Sequence, residues 1–337
     1  MTTRQPGTGE FEIIRRFFAP LAADAPGAFG LTDDAARLEV PPGHSLVVTS
    51  DALVAGIHFL ATDTAADVAA KALRVNLSDL ASMGARPMAY TLALALTRET
   101  GVEWLEAFAA SLAADQRRFG ITLIGGDTVA TPGPLTLCIC AFGCVASGTE
   151  LRRSGARPGD AVFVTGTIGD AALGLIALQK GLAGVDAADH QALAQRYRRP
   201  TPRTACGPRL VGLAHAAIDV SDGLLADLGH ICETSGTAAV IESARVPLSA
   251  AARAALAAGA GGWRDILGGG DDYELLFAAP LDAEPALAGI AQALDVPITR
   301  IGRVVERTSA ADPDRLVGVI DAAGRPMVLE STGYRHF

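Results

Sequence analysis

Strand-like and helix-like segments alternate along the whole chain, which restricts it to mixed α/β (α+β) architectures. Apolar runs such as Ala89–Leu96 predict strands, and Val102–Phe119 has the length and pattern of a helix. A polar stretch with a Pro-Gly-Asp turn, Ala146–Asp160, separates two comparable halves. We therefore predict two domains, residues 1–148 and 149–337.

The remaining predicted elements follow the same alternation in both halves. Further strands are predicted at Ser45–Ser50, Thr122–Ile124, Leu135–Val145, Ala161–Thr165, Ala216–Asp219 and Tyr273–Ala279. Further helices are predicted at Glu10–Leu21, Ala65–Met83, Asp170–Gln179 and Asp222–Thr234. The segment with Pro200, Pro202 and Pro208 is predicted to be a long linker.

The bulk composition excludes several classes of function. A net charge of −9 argues against nucleic acid as a partner, because a phosphate backbone requires a basic face. No apolar run reaches 18 residues, so no membrane span is predicted. The five cysteines form no CxxC pair, and the three in Leu135–Val145 are predicted to be small buried thiols. This pattern indicates a reducing compartment, and we predict a cytoplasmic protein.

Aspartates recur where predicted strands end and helices begin. They are Asp33, Asp34, Asp51, Asp79, Asp127, Asp219, Asp222, Asp271 and Asp272. Any one of them alone is best explained as a helix cap or turn residue. As a set they indicate hard divalent cations such as Mg²⁺, because carboxylates near a polyphosphate need positive charge between them. The Asp219–Asp222 turn also predicts a helix N-terminus whose free N–H groups would meet a phosphate, with Ser221 as cap or phosphate donor.

Familiar catalytic motifs are missing from the sequence. There is no GxxxxGK[ST] loop, no protein-kinase HRD or DFG set, and no HExxH. The glycine groups Gly125–Gly126, Gly166–Gly169 and Gly268–Gly270 fit either plain turns or close backbone approach to phosphate.

A set of short motifs, in a fixed order, resembles the thiamine-monophosphate kinase family within the aminoimidazole ribonucleotide synthetase-like superfamily. The motifs run nearly end to end: Gly9–Phe11, Thr32–Ala36, Thr49–Asp51, Gly56–Phe59, Asn76–Ala85, Gly125–Thr128, Arg153–Ala156, Asp219–Leu224, Asp272–Leu275 and Gly333–Phe337. The family usually has Gly in place of Thr32 and Glu in place of Asp271.

The resemblance implies a role for each matching residue. The implied magnesium ligands are Asp33, Asp34, Thr49, Ser50, Asp51, Asp79, Asp127, Asp219 and Asp222. The implied ATP contacts are Gly126, Asp127, Arg153 and Ser221, and the implied substrate contacts are His58, Asp271 and Tyr334. The resemblance further implies a two-domain fold and a homodimer in which two N-terminal sheets pair into a β-barrel, with several Mg²⁺ ions and ATP as co-substrate.

The implied reaction is direct in-line transfer of the γ-phosphoryl group of ATP to thiamine monophosphate. Because a phosphate acceptor is already ionised at neutral pH, neither a general base nor a covalent nucleophile is expected. Two alternatives stay open. One is another ATP-using enzyme of the superfamily, such as aminoimidazole ribonucleotide synthetase, and the other is a module that only binds nucleotide or thiamine phosphates.

Overall fold

The chain divides into two units, each with its own apolar core. The first comprises Met1–Leu80 and Arg86–Gly148, and the second comprises Ala81–Ala85 and Thr149–Phe337. The structure, a computed structural model, describes residues 9–307, 316–329 and 333.

One four-stranded sheet organises the first unit. Its strands are β1 (His44–Val54), β2 (Arg86–Leu96), β3 (Thr122–Ala130) and β4 (Thr136–Ala146), in the order β1-β4-β2-β3. β4 is antiparallel to both β1 and β2, and β2 is parallel to β3. Side chains alternate across β4: Leu137 and Ile139 are buried, whereas Cys138 and Cys140 are only half-buried. The prediction of buried thiols is therefore wrong for those two cysteines, because period-two alternation places them on the open face of the sheet.

Two long helices cover the closed face of this sheet. They are α2 (Ala65–Ser82) and α3 (Val102–Phe119), which follow the short α1 (Glu10–Ile13). Gln116 of α3 donates a hydrogen bond to the buried phenol of Tyr90 in β2 at 3.2 Å. The predicted helix Glu10–Leu21 is instead α1 followed by a π turn, Ile14–Phe18, and 3₁₀ turns at Ala19–Ala22 and Pro26–Leu31. The proline at position 20 explains a change of helix type there, since it lacks an N–H donor.

A six-stranded sheet organises the second unit. Its strands are β5 (Ala161–Thr165), β6 (Ala216–Asp219), β7 (Thr237–Glu242), β8 (Leu275–Ala279), β9 (Ile298–Glu306) and β10 (Val317–Ile320), in the order β10-β7-β9-β5-β8-β6. Its helices are α4 (Asp170–Lys180), α5 (Ala187–Arg198), α6 (Gly207–Leu210), α7 (Leu224–Ser235), α8 (Ala250–Ala257), α9 (Trp263–Gly268) and α10 (Glu284–Leu294). All neighbouring strands are antiparallel except β7 and β10, which are parallel.

Three neighbouring strands of this sheet, which include the edge strand β6, are buried along their whole length. Every residue of β5, β6 and β8 is buried, which explains why these segments have continuous apolar runs. Within the described ranges, no helix has both the length and the apolar character needed to cross a membrane.

Candidate active site

Carboxylates of the first unit meet where β1 passes the end of α2. The hydroxyl of Thr49 donates to Asp79 Oδ2 at 2.5 Å. The backbone N–H of Asp51 donates to the side-chain oxygen of the buried Asn76 at 3.2 Å. Burial, followed by the neighbouring Asp79 carboxylate, raises the pKa of Asp51 to about 7. The carboxyl groups of Asp51 and Asp79 are therefore held close together at a partly buried position.

This donor set fits a hard divalent cation. Thr49, Asp51 and Asp79 offer only oxygen ligands, the type that Mg²⁺ prefers. Two carboxylates held close together repel each other and raise each other's pKa. A bound cation would offset that repulsion.

A second set of acidic residues lines a cavity of ≈820 Å³ between the N-terminal segment and the sheet. Asp33, Asp34, Gly126 and Asp127 border it, together with apolar side chains that include Phe18, Leu38 and Phe142. Thr32 adopts a φ of −111°, so a side chain fits where the family usually has glycine. The cavity thus combines acidic groups with an apolar wall.

Ser50 lies on the opposite side of β1 from its neighbours Thr49 and Asp51. Its side chain is exposed, and its Oγ lies 3.3 Å from Cys138 Sγ. Thr49 and Asp51 instead contact the end of α2. If Thr49, Ser50 and Asp51 bind the same metal ion, Ser50 would have to do so through its backbone rather than through its hydroxyl.

Gly126 occupies a backbone position that admits no side chain, because its φ is +155° and a Cβ there would overlap the carbonyl oxygen of Leu92. We expect Gly126→Ala to lower the free energy of unfolding by about 1–3 kcal/mol, because the β2–β3 pairing must shift. Gly125→Ala is the matched control, since a Cβ there meets only the Thr91 methyl group at 3.7 Å. Denaturant titration of both variants measures the difference, and equal stabilities would contradict the steric argument.

His58 is oriented by a tight turn after β1. Its Nδ1 accepts a hydrogen bond from the backbone N–H of Val54 at 3.1 Å, and its own backbone N–H donates to the Val54 carbonyl at 3.0 Å. In the neutral ring this arrangement places the proton on Nε2, which makes that nitrogen a donor. His58 therefore has the chemistry needed to contact a phosphate oxygen.

The turn between β6 and α7 differs from the sequence-based expectation. The backbone N–H groups of Ser221, Asp222 and Gly223 all donate to Asp227 Oδ2, at 3.0 to 3.1 Å. The prediction that this helix end offers these N–H groups to a phosphate is therefore wrong. Burial, followed by the Asp222 charge, raises the pKa of Asp227 to about 7.

Asp227 is the residue of this turn that sequence reasoning missed. A carboxylate in the first turn of α7 is a capping signal for the preceding N–H groups, and this signal could have identified it. Ligand atoms of Asp222, Asp227 and His230 lie within 4.8 Å of one another, so Asp222 has two further potential metal ligands nearby. Asp219, at the end of β6, is buried.

The other predicted site residues lie on loops. Arg153 is exposed, and its carbonyl oxygen accepts a hydrogen bond from the Ser235 hydroxyl at 3.3 Å. Asp271 is partly exposed, and its N–H donates to the carbonyl oxygen of Ser221 at 2.9 Å. Tyr334 lies outside the described residues.

The fold and these acidic groups define a class of protein. The family model of the AIR synthase related protein N-terminal domain matches residues 32–145, and that of the C-terminal domain matches residues 157–312. The chain has the two-domain, mixed α/β fold of that class. Within it, the chain belongs to the thiamine-monophosphate kinase family.

Relatives of known sequence and relatives of known structure both support this membership. The thiamine-monophosphate kinases of Salmonella typhimurium and Escherichia coli K12 are each 44% identical to it, over 98% of both chains. The crystal structure of the Stenotrophomonas maltophilia enzyme superposes with a TM-score of 0.76 at 45% identity, covering 86% of this chain and 89% of that one. The structure of AaThiL complexed with AMPPCP and TMP has a TM-score of 0.75 at 30% identity and covers 100% of both chains.

Proposed function

We propose that this chain transfers the γ-phosphoryl group of ATP to thiamine monophosphate, the final step of thiamine diphosphate biosynthesis. The full-length similarity to curated thiamine-monophosphate kinases carries the proposal. A related structure that holds AMPPCP, an ATP analogue, together with TMP supports the same pair of substrates.

We propose that the chain acts mainly by holding two anionic reactants together. Mg²⁺, when bound, would neutralise the charge that the triphosphate and the acceptor phosphate bring. Thr49, Asp51 and Asp79 would bind metal at one site. Asp33, Asp34 and Asp127 would bind metal at a second site. We further propose Ser50, Asp219 and Asp222 as metal ligands, with several ions bound in total.

The proposed substrate contacts follow from charge and hydrogen bonding. Gly126, Arg153 and Ser221 would contact ATP, with the Arg153 guanidinium opposite a phosphate. His58 would donate from Nε2 to the phosphate of thiamine monophosphate, and Asp271 would face the cationic thiamine portion. Tyr334 is also proposed to contact this substrate.

No proton needs to be moved for the proposed transfer. An acceptor phosphate oxygen forms the new bond to the γ-phosphorus, while the bond to the β–γ bridging oxygen breaks and ADP leaves. Because the acceptor oxygen is ionised at neutral pH, no side chain is assigned as general base or covalent nucleophile.

One assay tests the function. The chain would be incubated with ATP, Mg²⁺ and a panel of acceptors, namely thiamine, thiamine monophosphate and unrelated phosphate monoesters, with chromatography of the products. We expect equal amounts of ADP and thiamine diphosphate with thiamine monophosphate alone. Binding of both ligands without ADP formation would instead identify a sensing module.

We also propose a homodimer in which the first unit's sheet pairs with a second copy, closing an eight-stranded barrel. The open face of this sheet supports the proposal: Leu46 and Val48 on β1 and Val129 on β3 are 41%, 54% and 50% exposed. Large apolar side chains grouped on one face are typical of an interface.

Charge placed on this open face is expected to prevent dimer formation. Val48→Asp should convert a dimer to a monomer, because the carboxylate would be buried without a partner. Light scattering after size-exclusion chromatography measures the mass. Leu281→Asp, at a 53% exposed apolar residue of the second unit, is the control and should leave the mass unchanged. A Val48→Asp dimer would count against this interface.

The cytoplasmic location of the protein also stays a prediction.

A further inference from the structure

The loop before β8 has an unusual backbone on both sides of one buried acid. Asp271 and Tyr273 adopt φ values of +69° and +52°, in the left-handed region that non-glycine residues rarely occupy. Asp272, between them, is 1% exposed. Such conformations cost of order 1–3 kcal/mol each and persist only where the surroundings enforce them.

Backbone hydrogen bonds tie this loop to the segment after β6. The N–H of Asp271 donates to the Ser221 carbonyl at 2.9 Å, and that of Tyr273 donates to the Val220 carbonyl at 2.8 Å. A Cβ on Gly270 would overlap the Ser221 carbonyl oxygen, so the two segments are in direct contact. The Asp271 loop is thus held against the Ser221–Asp222 turn.

Buried acids fix the same loop from the other side. The Asp272 carboxylate accepts hydrogen bonds from the N–H groups of Gly169 at 2.7 Å and Ala171 at 3.1 Å, at the start of α4. Glu274 is fully buried and accepts hydrogen bonds from Arg203 at 2.5 Å and from Arg196 at 3.0 Å. These contacts hold Asp271 and Tyr273 in their left-handed backbone conformations.

The side chains of Asp271 and Tyr273 meet on this fixed loop. The Tyr273 hydroxyl donates to Asp271 Oδ1 at 3.2 Å, and both side chains are partly exposed. We propose that Tyr273 is a positioning residue that holds the Asp271 carboxylate in the orientation that receives the cationic thiamine portion of the substrate. This inference rests on the proposed function and on the role proposed there for Asp271.

The physical reason lies in the freedom of the Asp271 side chain. An aspartate on a loop samples several rotamers, and ordering it on binding costs conformational entropy. A hydrogen bond from a phenol to an ionised carboxylate restricts that sampling before the substrate arrives. Tyr273 therefore improves binding of the thiamine-phosphate substrate and leaves ATP binding and the transfer step unaffected.

Tyr273→Phe tests the inference, because it removes only the hydroxyl. We expect KM for thiamine monophosphate to rise about three- to tenfold, with kcat, KM for ATP and thermal stability unchanged. Asp271→Ala is the second variant, and in its background the Tyr273→Phe change should have no further effect on KM. A purely structural role of Tyr273 would instead lower stability and act equally in both backgrounds.

Two results would separate failure of this inference from failure of the proposed function. If the unmodified chain forms no ADP with thiamine monophosphate, the proposed function is wrong. If the unmodified chain is active and Tyr273→Phe leaves KM for thiamine monophosphate unchanged, or raises it equally in the Asp271→Ala background, Tyr273 does not position Asp271.

Discussion

Replacing Asp51 with asparagine is expected to lower kcat/KM for phosphoryl transfer by about 10²–10³-fold at limiting Mg²⁺, the range found when one group that stabilises transition-state charge is removed. Asp51 and Asp79 interact directly, because the Asp79 carboxylate raises the pKa of Asp51. An amide is a much weaker metal ligand than a carboxylate. Steady-state kinetics across a Mg²⁺ titration measures the loss. Mg²⁺ should also raise the melting temperature of Asp51→Asn less than that of the unmodified chain.

The same substitution should not destabilise the metal-free protein. Burial and Asp79 raise the pKa of Asp51 from 3.8 to about 7, so the native state binds this proton more tightly than the unfolded state. The stability from this group is therefore fully present below about pH 4 and is lost as the pH rises through about 7. Asparagine carries no charge at any pH. In EDTA at pH 8, Asp51→Asn should unfold at the same or a higher denaturant concentration.

Two further variants sharpen the comparison. Asp127→Asn, in the cavity, should also reduce activity far more than stability. Asp186→Asn is the matched control, because Asp186 is an exposed N-cap of α5 that asparagine replaces equally well. Near-normal turnover of Asp51→Asn or Asp127→Asn in limiting Mg²⁺ would exclude that carboxylate as a metal ligand.

Replacing Glu274 with glutamine is expected to cause the largest loss of stability, about 3–5 kcal/mol. Glu274 is fully buried, and its two oxygens meet Arg203, Arg196 and the Thr165 hydroxyl. Glutamine has almost the same shape but no charge, so it would remove the carboxylate that both largely buried guanidinium groups contact. Arg203 would lose this counter-charge, and Arg196 would keep the more distant Asp170, at 3.9 Å. Urea unfolding followed by circular dichroism measures the difference.

A surface ion pair provides the control for this loss. Glu106 meets Arg16 at 2.6 Å, yet both side chains are about half exposed. Glu106→Gln should change stability by less than about 0.5 kcal/mol, because water and salt screen such pairs. If Glu274→Gln were as mild as Glu106→Gln, the Glu274 cluster would not stabilise the fold.

Sequence reasoning succeeded best where a segment's own pattern decides its structure. The predicted bounds of α3, β5 and β6 are those of the structure. It missed α5, because that helix lies in a segment predicted as linker and buries only Leu193, Ala194 and Tyr197. It also missed β7, β9 and β10, whose stability depends on pairing with strands distant in the chain.

The candidate site shows the same division. Local sequence identified the acidic residues, since aspartates beside glycines at strand ends are visible one by one. The partners of those residues were not visible. Asp272 contacts the start of α4 about a hundred residues earlier, and Asp79 meets Thr49 from another element. Even the nearby Asp227 was missed, although it takes the three N–H groups that the local pattern assigns to a phosphate.

The amino-acid sequence by itself determined the alternation of elements, the acidic character of the chain and its family, because each depends on residue types and their order. Only the tertiary structure decided which acids are neighbours, which backbone N–H groups are already bonded, and which face of the first sheet stays open. The reason is physical: burial and charge proximity arise from contacts between distant segments, and these contacts raise the pKa of Asp51 and hold the loop of Asp271.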